Sequence, residues 1–179
     1  LGVFGPSGAG RCVEAGIAPD VLIGTLGKAI GTQGAFVAGS DLLRRFLWNR
    51  ARSFVFSTAS SPLLAARSLL HVERARAADD LRARLRTTAS QLRDRLDSLG
   101  VRTEPGLNGP IVPVLVGDNE SAVRAASELQ SAGILAQAIR PPTVPPGSAR
   151  LRITVSAAWP NDAVERVSAA VALALGLRG

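Results

Sequence analysis

Methionine and tyrosine are absent from this sequence, cysteine and histidine occur once each, and aromatic residues make up 4% of the chain. Cys12, being alone, cannot form an internal disulfide, and Cys12 with His71 cannot supply a Cys/His metal cluster. Cys12 is most simply a small, partly buried residue. So few aromatics leave no interleaved platform on which nucleic-acid bases could stack. No apolar run reaches the length of a membrane span, and the N-terminus lacks the basic start and apolar core of a secretory signal. A cytoplasmic location is the expectation. Methionine is missing even at position 1, and Leu1-Gly2-Val3 starts as if in mid-element, so the chain is expected to be a piece of a longer protein.

What remains is an apolar chain rich in arginine. Its 179 residues are 46% hydrophobic and 20% charged, which is enough to bury a core in one ordinary domain or two small ones. A formal charge of +7 raises the question of nucleic acid. Arg74, Arg76, Arg82, Arg84, Arg86, Arg93 and Arg95 crowd one region, but Asp79, Asp80, Asp94 and Asp97 are interspersed among them. Leu81, Leu85, Leu92, Leu96 and Leu99 recur there at helical spacing. The pattern is that of an amphipathic helix with a solvated, mixed-charge face, and nucleic-acid binding is not expected.

The segment with most chemistry in it is Gly24-Thr25-Leu26-Gly27-Lys28-Ala29-Ile30-Gly31-Thr32-Gln33-Gly34, directly after the apolar run Val21-Leu22-Ile23. An amine reacts with an aldehyde only when deprotonated, and burial in a tight apolar turn disfavours its charged form. Flanking glycines allow close approach of a cofactor. A nucleotide-binding P-loop would need glycine five positions before Gly27 and Ser or Thr after Lys28, where Leu22 and Ala29 stand, so that reading fails twice. On the residues alone two readings stay open: a Schiff-base lysine, and a surface lysine in a strand-turn connection.

Periodicity predicts short buried strands over 21–25 and 34–38, a helix over 41–52 with Ser40 as its cap, and a strand over 53–56. Residues 62–99 read as helical, broken near 77–80 and ending at Gly100. Beyond lie strands over 111–116, 134–139 and 151–156, with helices over 120–131, stopped by Gly133, and 160–175, with Pro160 in its first turn. Strands alternating with helices imply α/β layers. Pro141, Pro142, Pro145 and Pro146 make a stiff loop that cannot enter a central ladder.

Leu1–Gly5, Thr25–Gly34, Phe56–Thr58, and Ala138–Pro145 leading into Ala149–Thr154 follow one another as the matching segments do in the α-oxoamine synthases. The chain resembles that family of pyridoxal-phosphate (PLP) enzymes, of the fold-type I aminotransferase superfamily, from Leu1 to about Leu175. Gly109-Pro110-Ile111 and Val116–Asn119 add to the agreement. The resemblance implies an α/β fold: the C-terminal part of the PLP-binding large domain over 1–73, then a small α/β C-terminal domain over 74–179 that includes the bridging helix. In the family, an Asp that pairs with the pyridine nitrogen and a His that contacts the phenolic oxygen lie just before the match to Leu1. A ring-stacking His and a Gly-rich phosphate loop lie further upstream. The fragment alone is therefore expected to hold only part of the site and not to catalyse.

The resemblance also implies roles. Lys28 would carry PLP and act as the base at the substrate's α-carbon, and Thr25 would bind the PLP phosphate. Ser57 and Thr58 would reach the phosphate of the neighbouring subunit, which implies a homodimer with shared active sites. Without the family, Thr25 is an ordinary strand-end residue and the pair Ser57-Thr58 a helix cap ahead of Pro62. Arg152 would clamp the amino-acid carboxylate, although an exposed strand arginine is the plainer reading. Thr143 would contact substrate, and Arg140 would either do so or anchor the proline loop. The implied reaction joins L-alanine to a pimeloyl thioester, carried by coenzyme A or a carrier protein, with loss of carbon dioxide. A sister synthase joining glycine to acetyl-CoA is the alternative within the family. A catalytically silent binding or dimerisation module is the alternative outside it.

Overall fold

A computed structural model describes residues 1–106 and 108–177. The chain divides into two compact units, Leu1–Arg82 and Ala83–Gly179. The expected boundary, after residue 73, lies nine residues before this division, and the last two residues of the expected small domain, Arg178 and Gly179, lie outside the described residues.

The first unit opens with a 3-10 turn, Pro6–Gly8, and a single helical turn, α1 (Arg11–Glu14). Strands β1 (Val21–Thr25) and β2 (Ala35–Gly39) then pair antiparallel, from Val21 opposite Gly39 to Thr25 opposite Ala35; all their residues but Gly24 are exposed, where the apolar composition suggested burial. Gly24 permits this register because the Phe36 ring lies across it; a Cβ there would meet the ring at 2.3 Å. Helix α2 (Asp41–Arg50) starts where Ser40 Oγ accepts the Leu43 amide at 3.2 Å, the cap expected from the sequence. A short turn, α3 (Arg52–Val55), precedes α4 (Pro62–Ala77).

The strand expected over 53–56 is instead the turn α3. β-branched and aromatic residues favour a strand only where a neighbouring strand supplies a ladder. Here the amides turn back on their own segment: Phe54 and Val55 donate to Ala51 O at 2.9 Å and Phe56 to Arg52 O at 3.1 Å. Among the described residues of this unit, Ile30 is the one buried large apolar side chain, while Ile23, Phe36, Phe46, Trp48, Phe54 and Phe56 are exposed.

Helix α5 (Asp79–Ser98) begins after the break at Ala78, where the sequence placed it. It ends as Val101 N reaches back to Leu96 O at 2.9 Å over Gly100, whose φ of 72° is the left-handed conformation glycine adopts without strain. The second unit continues with β3 (Ile111–Gly117), α6 (Asn119–Ser131), β4 (Gln137–Ile139), β5 (Ala149–Thr154) and α7 (Ala163–Ala174). Its sheet is antiparallel, in the order β3-β5-β4. Alternation along β5 sends Ala149, Leu151 and Ile153 into the core and leaves Arg150, Arg152 and Thr154 on the other face. Leu92 and Leu96 of α5, Val112 and Val114 of β3, Leu129 of α6 and Val171 of α7 complete that core.

Two boundaries moved for local reasons. β4 is shorter than the expected 134–139 because Ile134 N closes onto Leu129 O at 2.8 Å, which commits residues 134–136 to leaving α6. Helix α7 opens at Ala163, not Pro160, because the Ala163 amide donates to Pro160 O at 3.1 Å and makes Pro160 part of a preceding turn.

Candidate active site

Lys28 is the only lysine in the sequence, hence the only side-chain primary amine. It lies in the connection between β1 and β2. That loop is closed at its base, where Leu26 N donates to Gly34 O at 2.9 Å and Thr32 N to Leu26 O at 3.0 Å. Inside it a tight turn runs from Lys28 O to Gly31 N at 2.9 Å, with Gly31 at a φ of 70°. Lys28 itself is exposed, so the apolar enclosure expected from the sequence is not provided by the described residues. Thr25, at the end of β1, accepts the Gly27 amide on Oγ1 at 3.3 Å, a contact that uses an oxygen lone pair and not the hydroxyl proton.

The loop is pinned from α4. His71 Nδ1 lies 2.8 Å from Ile30 O. A carbonyl only accepts, so Nδ1 carries the proton. One turn earlier, Ser68 Oγ donates to Leu64 O at 2.8 Å, so Thr32 Oγ1 must donate in the 3.1 Å contact between the two hydroxyls. Ile30 is buried, and a Cβ on Gly2 would come within 3.2 Å of its Cδ1.

Arg82 was expected on a solvated face. It is buried instead, with 3% of its surface exposed. Its guanidinium bonds Asp79 at 2.8 Å, the Arg76 carbonyl at 3.1 Å and the Ala75 carbonyl, and reaches Gly2 O at 3.5 Å. It thus satisfies carbonyls left open where α4 ends. The leucine spacing in fact places Arg82 on the buried face of α5, three residues before Leu85 and ten before Leu92; reading it by charge, together with the neighbouring arginines, hid this. His71, weighed only as a metal ligand, carried no signal of its contact with Ile30, 41 residues away.

Ser57 and Thr58 follow α3 and are both exposed. The Ser57 hydroxyl donates to Phe54 O at 2.9 Å, so its proton is committed in this conformation. Neither residue caps α4, whose cap position is Ser61.

In the second unit Arg152 projects from the outer face of β5, opposite Gln137 of β4, with Nη2 2.6 Å from Gln137 Oε1. Arg140 and Thr143 bracket the cis Pro141-Pro142 bond, and the Thr143 amide donates to Arg140 O at 3.0 Å. The loop from Pro141 to Pro146, Thr143 and Val144 included, lines an open cavity of about 680 Å³, and Arg140 borders a second of about 400 Å³ with Asn119, Glu120, Val123 and Arg124. The seven residues singled out from the sequence thus fall four on the first unit and three on the second. Among the described residues no group of three or more His, Cys, Asp or Glu could hold a metal ion, and no helix is long and apolar enough to cross a membrane.

The family model for aminotransferase class I and II matches residues 2–171. The chain belongs to the aminotransferase class I and II family. Among relatives of the chain, the 8-amino-7-oxononanoate synthase of Marinobacter nauticus is 43% identical over 175 residues, covering 96% of the chain and 44% of the relative. The serine palmitoyltransferase of Sphingomonas wittichii superposes with a TM-score of 0.90 at 27% identity, covering 100% of the chain and 46% of that structure. A lysine-to-alanine variant of the serine palmitoyltransferase from S. paucimobilis, with a bound PLP-myriocin aldimine, superposes with a TM-score of 0.87 at 26% identity, covering 99% of the chain and 46% of that structure. The chain thus spans less than half the length of each. Its fold is the fold-type I transferase fold expected from the sequence.

Proposed function

We propose that the protein carrying this chain is a PLP-dependent α-oxoamine synthase that condenses L-alanine with a pimeloyl thioester. The products are 8-amino-7-oxononanoate, carbon dioxide and the free thiol of the carrier, which is coenzyme A or a carrier protein. The observation that carries this reading is the 43% identity, spread over 96% of the chain, to a synthase of that name.

The donors present fit the cofactor. PLP needs one amine for its aldehyde and hydroxyl or amide donors for its phosphate. The chain has a single side-chain amine, on Lys28, and the Thr25 hydroxyl three residues before it. Ser57 and Thr58 supply two more hydroxyls, and Ser57 would have to release Phe54 O to donate to a phosphate. When bound, PLP supplies a conjugated ring that accepts electron density from the substrate's α-carbon.

Each remaining task belongs to a side chain of this protein. The Lys28 amine holds the cofactor and, once alanine takes its place, removes the α-proton and later returns a proton to the product carbon. Thr25 binds the phosphate. The Arg152 guanidinium pairs with the alanine carboxylate, for which its planar fork is suited. Thr143 contacts the acyl substrate from the proline loop, and Arg140 either joins it or anchors that loop. Ser57 and Thr58 serve the phosphate of a second subunit, so the working form is a homodimer with shared sites, in the cytoplasm. These 179 residues alone, lacking the partners of the pyridine ring expected upstream, do not turn over substrate.

The full native polypeptide, assayed with alanine and pimeloyl thioester and then with glycine and acetyl-CoA, tests the reading. Turnover of the first pair supports it. Turnover of the second pair alone assigns a sister synthase, and turnover of neither by a folded, PLP-bearing protein favours a silent module.

A further inference from the structure

The tether from α4 to the Lys28 loop has a consequence for the lysine. Ser68 and His71 are three residues apart on α4 and so lie on one face of that helix. From that face they hold the loop at two points, Thr32 Oγ1 at 3.1 Å and Ile30 O at 2.8 Å. Only Ala29 separates Ile30 from Lys28, and the 2.9 Å bond from Gly31 N to Lys28 O ties the two ends of that stretch together. The peptide carrying Lys28 therefore cannot shift without moving a carbonyl that His71 holds. Ile30 seals the same stretch from the other side, being buried close to Gly2. An exposed lysine on a free loop would sample many backbone positions; on this loop the side chain is exposed and its root is held.

We infer that His71 is a positioning residue for Lys28, acting through its Nδ1–H···O=C bond to Ile30. The inference rests on the reading of Lys28 as the PLP lysine. A group that must both hold the cofactor and move a proton at the substrate's α-carbon is sensitive to displacement, and misplacement by about 1 Å costs on the order of a hundredfold in rate. Loss of a contact that merely stabilised the fold would lower the melting temperature without separating kcat from KM.

The decisive experiment replaces His71 in the full native polypeptide by Leu, Gln and Asn. Asn places its amide nitrogen where Nδ1 stands, Gln places it one carbon further out, and Leu removes the donor. Two quantities are read: steady-state kcat and KM for alanine, and the rate at which borohydride fixes PLP to Lys28 as a secondary amine, followed by peptide mass. The expected result is that H71L and H71Q lose about tenfold or more in kcat and slow the trapping at Lys28, with KM within about twofold, while H71N keeps both near native. Should H71L fail to fold, H71Q against H71N decides alone. Native-like kcat and trapping in H71L or H71Q overturn the inference and leave the reading of Lys28 standing. Absence of trapped PLP at Lys28 in the native protein overturns both.

Discussion

Arg152 and Gln137 face each other across the β4–β5 ladder, with the guanidinium Nη2 2.6 Å from the amide oxygen. The contact orients an exposed cation without neutralising it, since an amide oxygen carries no net charge. Arg152 therefore keeps its charge available for a carboxylate while one edge of its fork is already placed.

If Arg152 binds the alanine carboxylate, Arg152→Lys loses the bidentate fit and raises KM for alanine by roughly tenfold to a hundredfold, corresponding to about 1.5–3 kcal/mol for a hydrogen bond to a charged group. Gln137→Ala, which leaves the charge in place, changes KM by only a few fold. Steady-state kinetics on the full native polypeptide measures both, and equal effects of the two substitutions would remove Arg152 from the substrate site.

Leu96 is fully buried between α5 and the sheet of the second unit. Leu96→Ala removes methylenes from a close-packed core and leaves a cavity, at a cost of about 2–5 kcal/mol. Urea denaturation followed by far-ultraviolet circular dichroism reads this as a lower midpoint. A shift below about 1 kcal/mol would mean that the core packs less tightly than described.

Arg82→Met keeps most of the side-chain volume and leaves the Ala75 and Arg76 carbonyls without their buried donor. Each orphaned group costs about 1–3 kcal/mol. Release of Gly2 should also expose the first ten residues to protease. Limited proteolysis with N-terminal sequencing checks this, and an unchanged cleavage pattern would show that Arg82 is not what holds that segment.

Asp118 caps α6 by accepting the Ser121 amide at 2.8 Å, and this hydrogen bond holds its carboxyl below the usual carboxylate range. A depressed folded-state pKa means that the unfolded chain binds more protons in acid, so the stabilisation is present at neutral pH and is lost as pH falls through that lowered value. Asp118→Asn keeps a capping oxygen but cannot titrate. A plot of melting temperature against pH should therefore fall less steeply below the carboxylate range in the variant. Parallel curves would assign the acid sensitivity elsewhere.

The hairpin carrying Lys28, the Ser40 cap, the break at Ala78, the Gly100 stop and the outward face of β5 were all legible in the sequence, because each is fixed by residues within a few positions of one another. Arg152 could be placed on the exposed face of β5 from period-two alternation alone. Ser53–Phe56 was not legible: its composition suits a strand, but a strand also needs a partner edge, and its amides close a helical turn instead. His71 escaped notice for a related reason, since it owes its role to Ile30, 41 positions away, which no local pattern encodes. Arg82 was read by its charge alone, although Asp79, Arg76 and Ala75, which hold it, lie within seven residues. The exposure of Lys28 agrees with the surface reading left open by the sequence and not with enclosure by its small, apolar neighbours, since the loop buries Ile30 and leaves the lysine exposed.

The central claim is that Lys28 is the lysine that holds PLP. Full native polypeptide and its Lys28→Ala variant, each incubated with PLP, reduced with borohydride and digested, should differ in one peptide: the segment containing Lys28 carries the pyridoxyl group in the first and nothing in the second. A folded native protein whose Lys28 peptide stays unmodified, or a variant that retains PLP-dependent turnover, would contradict the account.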